Sequence, residues 1–144
     1  FDLTMFWQGV FNIDVENIQK YHTDFWSVRE TGSNKGRRLL DAWSPSNPDS
    51  DIPAISATDT NWENRLSTYF IENGSYLKLR TLQLGYTLPK RWAFKVKMDK
   101  FRLYVSGQNL LTIKSKSFTG IDPENPAFGY PIPMSFTVGA NISF

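Results

Sequence analysis

The sequence predicts an all-β architecture of antiparallel strands joined by long loops, on three observations. Four segments alternate apolar and polar residues with a period of two. The 144 residues include 11 Phe, 6 Tyr and 5 Trp, an aromatic share of 15% that suits pleated strands. The connections between the segments run long, short, long. This pattern fits the wall of a transmembrane barrel or one face of a soluble β-sandwich, and alternation alone does not choose between them.

The first strand, about residues 1–11, reads FDLTMFWQGVF. Phe1, Leu3, Met5, Trp7, Gly9 and Phe11 share one face, with Asp2, Thr4, Phe6, Gln8 and Val10 on the other. Residues 12–74 form a long loop. Ile13, Val15, Ile18 and Tyr21 or His22 fall at helical spacing, which predicts a short helix. The rest is rich in Pro, Gly, Ser, Asn and Asp and has no sustained period. A connection of this length is far beyond the usual one, so the segment is expected to be functional or mobile.

The second strand, about 75–88, has Leu82, Leu84, Tyr86 and Leu88 in one phase and Leu77 and Leu79 in the other. That slip predicts a bulge, or an upper part that leaves the apolar layer. Pro89 closes the strand. The third, about 99–113, puts Phe101, Leu103, Val105 and Gly107 opposite Arg102, Tyr104, Ser106 and Gln108. A second loop spans 114–133. The fourth strand, about 134–144, has Phe136, Val138, Ala140, Ile142 and Phe144 on one face and Ser135, Thr137, Gly139, Asn141 and Ser143 on the other. Its length matches the about 9–11 residues a transmembrane β-strand needs.

The totals narrow the chemistry. With no Cys, thiol catalysis, disulfides and cysteine-zinc sites are excluded, and the lone His22 is read as an ordinary loop residue. No apolar run is long enough for a transmembrane helix, which leaves barrel strands untouched. Net charge is +2, but residues 12–74 are acidic and residues 75–144 basic. The bases alternate with apolar residues, so nucleic acid is not expected as a partner. Phe1 opens in mid-pattern without Met or signal peptide, so the chain is read as a piece of a longer protein.

The segments ENGSYLKLRTLQLGYTLPKRW, LYVSGQNLLTI, GIDPENP and YPIPMSFTVGANISF, in this order, resemble the C-terminus of the SusC/RagA family of TonB-dependent transporters. FDLTMFWQGVFNIDVENIQKY resembles the strand and turn just upstream, while residues 31–65 are not diagnostic. The resemblance implies the last four antiparallel strands of a transmembrane barrel of about 22 strands in the Gram-negative outer membrane. It implies long extracellular loops and a periplasmic C-terminus ending on Phe144. It also implies a plug and a TonB contact in the missing N-terminal region, a SusD-like surface lipoprotein as partner, and an oligosaccharide or peptide as substrate. No enzymatic role and no cofactor are expected. An isolated four-stranded piece would form a smaller sheet or pair through its open edges.

On this reading Phe136, Val138, Ala140, Ile142 and Phe144 face outer-membrane lipid. Tyr86, Trp92, Phe101 and Phe144 fall where an aromatic girdle would sit. Trp26, Trp43 and Trp62 are candidates for glycan stacking, weighed against a role in the loop's own small core. The stretches DPENP and DSD offer oxygen ligands for calcium, but turn chemistry explains them better. Lys90, Arg91, Lys95, Lys97 and Lys100 are read as a solvated turn, with lipid headgroups or a periplasmic partner as the sharper alternative. Asp99 has no second carboxylate at a defined spacing, so no catalytic constellation is present. The competing function is a soluble carbohydrate-binding β-sandwich.

Overall fold

The computed structural model describes residues 1–26, 34–56, 65–127 and 129–144. Its strands are β1 Asp2–Val10, β2 Asp14–Glu16, β3 Ile71–Asn73, β4 Tyr76–Thr87, β5 Lys100–Lys114 and β6 Ser135–Ser143. The short helix α1 covers Ile18–Tyr21 and runs into a π-helical turn, His22–Trp26. A second, α2, covers Lys90–Ala93 and continues as a 3-10 turn, Phe94–Val96. Two further 3-10 turns are Arg37–Asp41 and Thr68–Phe70.

The chain divides into two compact units. The first holds 1–11, 76–114 and 131–144, and is a single antiparallel sheet in the order β1-β4-β5-β6. The strands of this sheet neighbour one another in chain order, the simplest antiparallel meander. At about 3.3 Å per residue the 15 residues of β5 reach nearly 50 Å, well beyond a hydrocarbon layer. β1 and β6, nine residues each, are the two edges of this sheet.

The phase slip in β4 is a bulge. Opposite β1 the ladder steps from Phe6↔Thr81 to Trp7↔Leu79, passing over Arg80. Opposite β5 it steps from Thr81↔Gln108 to Leu79↔Leu111. Passing over one residue returns Leu77 and Leu79 to the face that carries Leu82 and Leu84. Asn109, in the passed-over stretch of β5, has φ 54°, a left-handed conformation that asparagine tolerates. Arg80 fills the gap: its Nε donates to Gln8 Oε1 at 2.9 Å and its Nη1 to Asn109 Oδ1 at 3.3 Å.

The second unit holds 12–75 and 115–130, so residues of both long connections fold together. Its sheet is the pair β2 and β3, with Val15 opposite Glu72. The helical spacing that starts at Ile13 therefore yields first a strand and then a helix. Asn17 marks the change, as its Oδ1 accepts from Lys20 N at 3.0 Å and caps α1. The apolar centre of this unit is Phe25, Leu39, Ala42, Phe70 and Phe118, all buried. Tyr21, Phe25, Tyr69 and Phe70 meet mostly edge-to-face with ring centroids 5.2–5.9 Å apart.

Candidate functional site

Antiparallel pairing lines up residues across all four strands of the first unit. One row is Leu3, Leu84, Val105 and Val138; another is Met5, Leu82, Gly107 and Phe136. The row between them, on the opposite face, is Thr4, Gln83, Ser106 and Thr137. Period-two side-chain alternation makes one face apolar and the other largely polar, with Phe6 of β1 on the polar side. The apolar face is not covered as it would be in a water-soluble sheet: Leu3 is 59% exposed, Leu84 52%, Val105 50% and Val138 77%, while Ser106 on the polar face is only 9% exposed.

The polar face is built by side chains lying along the sheet. Its next row is Asp2, Gly85, Tyr104 and Gly139. Arg102 grips Asp2 with both Nε, at 3.2 Å, and Nη2. This ion pair passes over Gly85, where an added Cβ would stand 2.6 Å from both Asp2 carboxylate oxygens. The Tyr104 ring likewise lies over Gly139, so a Cβ there would strike the ring and its hydroxyl. Arg102 stacks on Tyr104, 5.4 Å from the ring centroid. The order of small and large residues is thus a packing requirement: each glycine leaves room for a side chain from the next strand.

The four members of the expected lipid-facing set that lie within β6, namely Phe136, Val138, Ala140 and Ile142, fall on the apolar face. They stand opposite Gly107, Val105, Leu103 and Phe101. Phe144 follows the strand and is 87% exposed. At the short-turn end, Phe1 packs against Tyr86 with ring centroids 4.7 Å apart.

The second unit centres on buried polar groups. Glu72 accepts from Asn17 Nδ2 at 2.8 Å, Thr119 N at 2.8 Å and Thr119 Oγ1 at 2.9 Å, and pairs with Lys20 Nζ at 3.4 Å. Burial alone would raise its pKa, but the donors from Thr119 and Asn17 and the charge of Lys20 outweigh it and hold the carboxyl below its ordinary value. Asp24, fully buried, accepts from Thr23 Oγ1 at 3.0 Å and Tyr69 OH at 2.9 Å and pairs with Arg38 Nε at 3.2 Å. Burial, and then the bond and charge of Asp24, push the Tyr69 hydroxyl well above the ordinary tyrosine range. Lys20 Nζ sits 3.7 Å from the Tyr69 ring centroid, and Arg38 Nη1 donates to Thr119 Oγ1 at 2.7 Å. The network ties 17–24, 36–38, 69–72 and 119 together.

Of the tryptophans, Trp43 is 44% exposed and lines a groove of about 450 Å³ with Leu39, Leu40, Pro45 and Ile55. Trp26 ends the π-helical turn, but its side chain lies outside the described positions, and Trp62 lies outside the described residues altogether. In DPENP, Asp122 Oδ1 accepts from Glu124 N at 3.0 Å, an Asx turn. In DSD, Ser50 Oγ bonds Asp41 O and accepts from Ile52 N. Among the described residues no group of three or more His, Cys, Asp or Glu is placed to hold a metal. Sequence reasoning missed the network of Asn17, Lys20, Asp24, Arg38, Glu72 and Thr119. The one local signal was Asn17 standing directly before Ile18, where an N-cap stands.

No protein-family model matches the chain. Individual proteins do. TonB-dependent receptors P3 and P26 of Formosa agariphila are 32% and 30% identical to it, over 100% and 99% of the chain. TonB-dependent receptor SusC of Bacteroides thetaiotaomicron is 30% identical over 84% of the chain. Among solved structures, the RagAB peptide transporter matches 99% of the chain with a TM-score of 0.72 at 27% identity. The RagAB peptide importer in its open-open state matches with a TM-score of 0.73. The chain spans 12–15% of the length of these receptors and 15–16% of the solved chains.

Proposed function

The chain belongs to the TonB-dependent receptors of the SusC/RagA kind, and from that premise we propose that β1, β4, β5 and β6 are adjacent closing strands of an outer-membrane transport barrel. The observation that carries the reading is the alternation of apolar and polar four-residue rows, with the apolar row Leu3, Leu84, Val105 and Val138 exposed along its whole length. Such a sheet suits lipid outside and a wet lumen inside. Its two open edges need strands from elsewhere in the parent receptor, because hydrocarbon leaves no backbone group unpaired. Phe136, Val138, Ala140, Ile142 and Phe144 meet lipid, and Arg102, Asp2, Tyr104 and Gln108 line the lumen. The long connections are extracellular and the short one, with the C-terminus, periplasmic.

The parent imports an oligosaccharide, working with a SusD-like lipoprotein and energised by TonB. Of the three loop tryptophans, Trp43, 44% exposed beside its groove, is the one assigned to stack on a sugar ring. The test is uptake by cells lacking the parent receptor and complemented with it, using labelled oligosaccharides and labelled peptides. Oligosaccharide uptake that stops when the proton gradient is collapsed is the expected result. Peptide uptake alone would replace the substrate class and keep the transporter; uptake of neither would overturn both.

A further inference from the structure

The short connection between β4 and β5 serves neither the wall nor the loop network, yet it is built. Leu88 N donates to Phe101 O at 2.9 Å, Trp92 N to Pro89 O at 2.9 Å and Lys97 N to Phe94 O at 3.1 Å. Lys97, with φ 58°, turns the chain back, and Asp99 N donates to Ser143 O at 2.8 Å, which fixes the turn to β6. On this frame stand Lys90, Arg91, Lys95 and Lys97, all exposed, with no carboxylate before Asp99.

Solvation accounts for the cations but not for the rings among them. Trp92 is 59% exposed and Phe94 60%. A groove of about 350 Å³ runs between Trp92, Arg91, Pro89, Leu88 and Tyr86. Large rings next to cations, at the end of strands with an exposed apolar face, match the boundary where hydrocarbon meets headgroups. Water on every side would leave the rings solvated at a cost; a soluble protein partner would leave four like charges to be met by carboxylates it would have to supply.

We infer that residues 89–97 form an interfacial anchor that binds the phosphate of anionic phospholipid. Tyr86, Trp92 and Phe94 sit at the acyl boundary, and Lys90, Arg91, Lys95 and Lys97 hold the headgroups. The inference rests on the barrel reading above and adds a lipid preference to it.

The test places the full-length receptor in nanodiscs of phosphatidylcholine alone or mixed with phosphatidylglycerol and counts retained lipids by native mass spectrometry. Each cation near an anionic surface favours binding by about fivefold, so a preference for phosphatidylglycerol of at least about tenfold is expected. The triple change Lys90→Gln, Arg91→Gln, Lys95→Gln should bring it near parity, and Trp92→Ser should weaken retention of both lipids. About 0.5 M salt should erode the wild-type preference, which keeps the test decisive where the triple variant fails to assemble. Parity in an inserted wild-type barrel overturns the anchor alone. A receptor that never enters lipid, seen as a gel band unshifted by heat, overturns the barrel reading and the anchor with it.

Discussion

Replacing Glu72 by alanine should open the second unit locally while leaving the strands of the first intact. The change leaves Thr119 N and Thr119 Oγ1 without their acceptor and reduces Asn17 Nδ2 to its bond with Thr119 Oγ1. It also removes the ion-pair partner of Lys20, whose side chain is 12% exposed and which keeps its bond to Tyr69 O. A hydrogen bond to a charged group contributes about 1.5–3 kcal/mol, and removing one member of a buried pair costs about 3–5 kcal/mol. These contributions share one carboxylate and are not additive, so about 4 kcal/mol, or roughly a thousandfold in local opening, is the working figure. Hydrogen exchange of the full-length receptor reads it directly, at amides the network protects: Asn17 N, bonded to Phe70 O at 2.8 Å, Gly36 N, bonded to Thr23 O at 2.9 Å, and Thr119 N. Acceleration confined to Thr119, or below about tenfold at Asn17 and Gly36, would refute the claim that the network acts as one unit. Glu72→Gln keeps an acceptor and removes the charge, so it should fall between the two. The same group sets a pH dependence. Its folded pKa lies below the ordinary 4.5, so its stabilisation is complete above that value and disappears as pH falls through the folded one. Protection, corrected for intrinsic exchange, should therefore drop below pH 4.5 in the wild type and stay flat in Glu72→Gln.

Three other outcomes follow from the geometry. Ala140→Arg places a charge on the apolar face at a cost of about 2–4 kcal/mol near the bilayer midplane, whereas Ser143→Arg on the polar face should be milder; equal yields of heat-shifted barrel would refute the facing assignment. Gly139→Val drives a branched side chain into the Tyr104 ring and should lower the assembled fraction, with Tyr104→Ala restoring part of it; no recovery in the double variant would mean that the contact is not the cause. Trp43→Ala should weaken oligosaccharide binding by about tenfold in calorimetry, in line with about 0.5–1.5 kcal/mol for an aromatic contact, and unchanged affinity would remove Trp43 from the site.

The sheet was legible because its signal is local and periodic. In the last ten residues every odd step from Ser135 is small or polar and every even one apolar, which needs no tertiary information. The slip between Leu79 and Leu82 was visible too, but two causes produce the same pattern. Only the ladders on both sides of β4, each passing over Arg80, decide for a bulge. The meaning of the two media was not legible from alternation at all, because a sandwich and a barrel wall share it; the ordered motifs carried that distinction.

The loop unit was opaque for a different reason. Asn17 and Thr119 bond across 102 positions, and Asn17 and Glu72 across 55. Singly each looks like a solvated polar residue, and only contact between distant segments makes them a core. Aromatic type also misled attention: the tryptophans drew it, yet the buried centre is Phe25, Phe70 and Phe118, while Trp43 stays exposed. Two rings of similar hydrophobicity cannot be sorted into core and surface without the packing.

The central claim is that the apolar rows meet lipid, and it is tested most directly on two neighbouring residues of β6. A nitroxide attached through cysteine at position 138, and separately at position 137, in the assembled receptor reports collision with oxygen, which concentrates in hydrocarbon, and with a water-soluble nickel chelate. Val138 and Thr137 are adjacent and point to opposite faces. The label at 138 should favour oxygen and the label at 137 the nickel chelate. The reverse order, or equal access to the chelate at both positions, would contradict the account.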